Sequence, residues 1–241
     1  MKISIILLIA IGFMACKKED KVFQSVATIN VVNAAVDVVS VKASTSEKPI
    51  VYSKTTDVVN FGANRFYSAA RGSAQITVVA TADTTKMLFN RKAELGIGFY
   101  TLYLAGQNPN VDTLFRKEDN FPFIKTDVTR PTSTDSVVNV RFVNLSPNSP
   151  ALKINVRNST TNEVDNFSYK SIGNWKAYPN KATGTTAYIF EIRNASTNAI
   201  LLTYTFNATA TNRFLNVALV LKGLVGATGT NAFGVQVVNY F

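Results

Sequence analysis

The 241-residue chain contains no histidine and a single cysteine. Without histidine there is no Ser-His-Asp or Cys-His nucleophile pair, no His-Glu-x-x-His zinc site and no imidazole general base. One cysteine excludes an intramolecular disulfide and a cysteine-rich metal cluster. Acidic residues are also in deficit, 15 against 25 Lys and Arg, for a formal net charge of +10. The cations are spread singly (Lys153, Arg157, Lys170, Lys176, Lys181) rather than gathered in a basic run, so the excess charge reads as solubility and no nucleic-acid partner is expected.

What is present begins at the N-terminus. Met1-Lys2 is a short basic lead, and Ile3 to Phe13 is apolar apart from Ser4 and Gly12. Such a run covers roughly 16 Å as a helix, half of a ~30 Å hydrocarbon core, which suits a secretory signal and not a membrane span. The sole cysteine follows directly, in Phe13-Met14-Ala15-Cys16. This resembles a bacterial lipobox, with cleavage after Ala15 and lipid attached to Cys16. The resemblance implies a signal peptide over 1–15, a lipidated tether over 16–24 and a membrane partner reached through acyl chains, whose methylenes add about 0.8 kcal/mol each when buried. Lys17, Lys18, Glu19 and Asp20 resemble the charged export signal of Bacteroidetes surface lipoproteins. Outer-membrane anchoring with display at the cell surface is therefore expected.

Internal self-similarity sets the architecture. Ala27–Asn33 (ATINVVN) aligns with 138–144 (VNVRFVN) at a separation of 111 residues. Both alternate apolar and polar through the first five places, the period of a strand with one buried face. Gly62 and Gly173, and Tyr67 and Tyr178, match at the same separation; Gly72 and Gly184 follow at 112, and the Leu102–Gly106 segment matches Leu219–Gly223 at 117. Short alternating segments separated by Asn-, Gly-, Ser- and Thr-rich turns predict two antiparallel β-sandwiches, over 25–126 and 137–241, joined by a polar linker over 127–136. Gly72 and Gly184 are expected at positive φ in hairpin turns before strands, and the tyrosines ahead of them in the cores with hydroxyls on nearby backbone.

The order of Val32-Asn33, Tyr67 to Gly72, and Tyr100-Thr101 to Gly106 resembles the DUF4397 domain of bacterial cell-envelope proteins. Val143-Asn144-Leu145-Ser146-Pro147 opens a second copy, with Tyr178 to Gly184 one residue longer and Asn216-Val217 in place of the terminal Tyr-Thr. The resemblance implies immunoglobulin-like sandwiches, no catalytic residues, and association with surface lipoproteins and adhesion.

Candidate sites are sparse. Asn174, Trp175, Lys176 and Tyr178 combine aromatic faces, an amide and a charge, the side chains a glycan site uses; if alternation holds, Trp175 and Tyr178 face opposite sides. Glycoside hydrolysis needs two positioned carboxylates. Glu163 and Asp165 fall in a turn, Glu191 faces outward from a strand, and Glu118-Asp119 lie in a solvated loop, so no pair forms and no enzymatic activity, cofactor or metal is expected. Thr84, Thr113 and Ser136 follow aspartates in the pattern of Bacteroidetes O-glycosylation, Ser136 being the most accessible as part of the linker. The C-terminal Val235–Phe241 segment resembles a barrel assembly signal, but a strand closing the second sandwich explains it more simply. A non-enzymatic role in binding or adhesion follows, toward a glycan, the matrix or an envelope partner. The alternatives are an accessory lipoprotein facing the periplasm and, more remotely, a small outer-membrane barrel.

Overall fold

The computed structural model describes residues 26–46, 57–122, 136–181 and 183–240. The signal and tether segments, Ala15 and Cys16 to Asp20 included, lie outside the described residues, as does the linker apart from Ser136.

Sixteen strands form four four-stranded sheets among the described residues. The first eight are β1 (Ala27–Asn33), β2 (Ser40–Ser44), β3 (Val58–Asn60), β4 (Ala63–Ala69), β5 (Gly72–Ala80), β6 (Met87–Leu95), β7 (Gly98–Gln107) and β8 (Asn110–Lys117). The second eight are β9 (Val137–Asn144), β10 (Leu152–Val156), β11 (Asn162–Phe167), β12 (Lys176–Pro179), β13 (Thr185–Asn194), β14 (Ile200–Thr209), β15 (Asn216–Lys222) and β16 (Gly234–Asn239). Sheet order is β4-β1-β7-β8 and β3-β2-β5-β6 in the first set, and β12-β9-β15-β16 and β11-β10-β13-β14 in the second. Each strand of one set has its counterpart at the same place in the other. All pairings are antiparallel except β1 with β7 and β9 with β15, and Val31 opposite Leu102 is mirrored by Phe142 opposite Leu219. The fold is thus all-β, two sandwiches in tandem. β16 is the edge of an open sheet and closes the second sandwich.

Each sandwich has its own core, built on Ile29, Val31, Ile76 and Leu102 in the first and on Phe142, Ile154, Phe190 and Leu219 in the second. A third core joins them. Val32, Tyr103 and Ala105 of the first sandwich pack against Val143, Ala218, Val220, Val238 and Tyr240 of the second. The β1 and β9 sheets therefore face each other, and the molecule stacks four sheets deep. This corrects the one-buried-face reading of β1 and β9. Asn30, Asn139 and Arg141, the polar members of that alternation, are 0%, 4% and 2% exposed, because a second sheet covers the face that alternation assigned to solvent.

The repeat is closest where a side chain or backbone angle is mechanically required. Asn33 accepts a hydrogen bond from the Ala35 N–H and donates to the Val38 and Val59 carbonyls. Asn144 does the same with the Ser146 N–H and the Phe167 carbonyl, closing an Asx-type turn and tying it to the facing sheet. Gly72 and Gly184 adopt φ of 95° and 82° as expected, although the turns they make carry the chain from one sheet to the other and are not hairpins. Gly62 and Gly173 are not equivalent. The N–H of Gly62, at φ 77°, donates to the Asn33 carbonyl, and the corresponding bond to the Asn144 carbonyl comes from Lys170, at φ 65°. Tyr178 is buried in the second core with its hydroxyl on Glu163, not on backbone; the half-buried Tyr67 packs on the first core.

Candidate functional site

The densest polar cluster lies between the sandwiches. β9 places Arg141 in the third core, and the chain leaving β8 turns Glu118 in to meet it, anchored by the Glu118 N–H on the Phe99 carbonyl. The guanidinium grips the carboxylate with two parallel bonds of 2.8 and 2.7 Å. Its second terminal nitrogen also reaches the Tyr103 hydroxyl at 3.1 Å, which in turn meets the Tyr240 hydroxyl at 3.1 Å. Trp175 covers the guanidinium face, its ring 4.4 Å from Cζ. Burial alone pulls Arg141 toward losing its proton, but Tyr103, Glu118 and Tyr240 more than reverse that and raise its pKa; burial pushes the Tyr103 phenol well above its ordinary value. The bidentate pair acts as a fixed pin between two sheets. This corrects the solvated-loop reading of Glu118-Asp119: only Asp119 is exposed, paired with Lys117 at 2.8 Å.

The four residues proposed for a glycan site do not converge on one surface. Tyr178 faces the second core and Trp175 the interface between sandwiches, while Asn174 and Lys176 are exposed. Lys176 and the Tyr178 hydroxyl both meet the Glu163 carboxylate, each at 2.6 Å. Burial, then the bond to Glu163, raises the Tyr178 phenol. Glu163 and Asp165 lie on β11, not in a turn. Glu191 does lie on the face of β13 opposite the core residues Phe190 and Ile192, but two arginines cover it: Arg193 at 2.7 Å and Arg157 at 3.1 Å. Hydrogen bonds from Arg193 and then Arg157 hold its carboxyl below the ordinary range.

Thr84 is exposed beside Asp83, Thr113 is half-buried in β8, and the half-buried Ser136 donates its hydroxyl to the Asn180 carbonyl. Of the three acceptor candidates Thr84, and not Ser136, is the accessible one.

Among the described residues, two clefts stand out on the second sandwich. One, about 480 Å³, is lined by Lys153, Asp165 and Asn194 among others. The other, about 440 Å³, lies where the edge strands β14 and β16 diverge and is lined by Tyr204, Asn207, Asn212, Val237 and Asn239 among others. Nothing in the sequence marked this second cleft, because its residues are separated along the chain and meet only through the sheet order. Among the described residues, no group of three or more His, Cys, Asp or Glu is placed to hold a metal ion. No helix among them is long and apolar enough to cross a membrane.

No family model and no curated protein matches the chain. Among solved structures, the chain is similar to one concerning alpha-glucan recognition by family 41 carbohydrate-binding modules from streptococcal virulence factors, at 13% identity. The match covers 81% of this chain and 93% of that one, with a TM-score of 0.26. A score that low carries no function across.

Proposed function

We propose that this chain is a lipid-anchored envelope protein of the DUF4397 kind whose two sandwiches act without catalysis, binding a glycan, matrix or envelope partner at the cell surface. The observation that carries the reading is the commitment of the sandwich carboxylates. Glu118 is gripped by Arg141, Glu163 by Lys176 and Tyr178, and Glu191 by Arg193 and Arg157. Carboxylates already committed to cations and hydroxyls within the fold stabilise a scaffold, whereas a general acid needs one free to meet a substrate. Anchoring rests on the sequence around Cys16, with Lys17 to Asp20 as the export signal.

Fractionation and protease shaving test this reading. A Cys16→Ala variant is expected to leave the membrane fraction, and protease added to intact cells is expected to digest both sandwiches of the wild type. Retention of the variant in carbonate-washed membranes would remove the anchor. Protection until lysis would place the protein on the periplasmic side.

A further inference from the structure

The cleft between β14 and β16 has a lining whose chemistry is selective. No charged side chain contributes to it, in a chain of formal net charge +10. The side-chain amide of the exposed Asn239 and the hydroxyl of the half-buried Tyr204 have no protein hydrogen-bond partner among the described residues. Tyr204 pairs with Phe190, Val237 with Leu219 and Asn239 with Val217, all residues of the second core, so the three line the same inner side of the sandwich. The amide offers two donors and an acceptor, the complement of a pair of neighbouring hydroxyls. Val237, 39% exposed, supplies an apolar patch on the same wall. At about 440 Å³ the cleft is of ligand-binding size.

An added peptide strand is the natural competitor, since β14 is a sheet edge. Asn212 stands in its way. From a 3₁₀ turn at Ala210–Asn212, its amide donates to the Asn207 carbonyl at 3.0 Å and accepts from the Thr209 N–H at 2.8 Å. Those are edge groups of β14 that an incoming strand would need, so the Asn207–Thr209 end of the edge is already capped. An acidic polymer finds no cation in the lining.

We infer that this cleft binds a neutral oligosaccharide, held by the Asn239 amide and the Tyr204 hydroxyl with one sugar face against Val237. The inference rests on the binding role proposed above and gives it a site and a ligand class.

The test is an array of neutral and acidic glycans probed with the full chain in detergent, followed by titration of the hits with and without added salt. At least one neutral glycan is expected to bind, with an affinity unchanged by salt, because no ion pair is formed. A Tyr204→Phe/Asn239→Ala double variant, which removes only polar groups without a protein partner, is expected to bind about tenfold or more weakly, the loss of one or two hydrogen bonds, with its melting temperature unchanged. Binding confined to acidic glycans, no binding to any neutral glycan, or binding indifferent to the double variant would overturn the site. Because the purified protein is used, failure here is distinct from failure of the anchoring or surface-display reading, which shaving and fractionation decide.

Discussion

Arg141 and Glu118 show how much one position depends on what is placed opposite it. In the sequence Arg141 is the polar member of an alternating strand and Glu118 a member of a charged run. In the structure both side chains are almost wholly buried, at 3% and 2% exposure, and each is the other's main counter-charge. Removing one partner leaves a charge in a poorly solvated interface. Glu118→Gln is expected to lower unfolding free energy by about 3–5 kcal/mol, read from urea denaturation midpoints. Replacing both, as Glu118→Leu with Arg141→Met, is expected to return stability to near the wild-type value, since the desolvation of two charges is removed with their attraction. A double variant as unstable as Glu118→Gln would show that the pin contributes more than mutual neutralisation. Asn33 and Asn144 lie at the other extreme, where short-range turn chemistry makes the residue legible in sequence: each accepts from the N–H two residues on, within its own turn.

At the scale of strands, the contrast between alternation and continuous apolar runs carries the information about layers. β14 alternates, with Leu202, Tyr204, Phe206 and Ala208 more buried than their neighbours Thr203, Thr205 and Asn207 on one side of a terminal sheet. β7 and β15 do not: Leu102 to Ala105 and Val217 to Leu221 are apolar at every step and buried on both faces. That is the pattern of a strand covered twice, and it is the signal from which an inner sheet could have been inferred. The ends of these two strands also repeat. Gly106 and Gly223 adopt φ of 77° and 78°, and a side chain at either would collide with backbone, that of Asn110 and of Ala232 respectively. Gly72 shares the positive φ but has open space around it. Gly223→Ala is therefore expected to cost at least about 3 kcal/mol, from left-handed strain and collision together, and Gly72→Ala about 1 kcal/mol from strain alone. Equal losses in thermal or urea unfolding would remove the close approach as the reason for Gly223.

At the scale of the molecule, a two-bodied reading gives way to a single stack. Besides the third core, contacts between the sandwiches run along the rim: Lys170 and the Tyr169 hydroxyl each meet Asp112 at 2.9 Å, and the Asn231 amide donates to Asp37 at 2.6 Å. The hydrogen bonds from Lys170 and then Tyr169 hold the Asp112 carboxyl below its ordinary value. A depressed carboxyl pKa contributes stability that is present above the unfolded value, near about 4, and lost as pH falls through the folded one. Acidification below pH ~4 is therefore expected to lower the melting temperature of the wild type more than that of Asp112→Asn, which has no carboxylate to protonate. An equal acid shift in both proteins would show that the Asp112 contacts add nothing to the joint.

The sequence by itself determined the all-β class, the two copies and the positive-φ glycines at Gly72 and Gly184, because strand period and turn geometry are set by residues within a few positions of one another. What each face of a strand meets is set by segments a hundred residues away, such as Glu118 and Tyr240 against β9, so only the tertiary structure decided that Arg141 is buried, that Trp175 covers it and that the two sandwiches share a core. The same holds for the neutral cleft. Its walls are the edges of two different sheets, and a sheet edge exists only once the strand order is known.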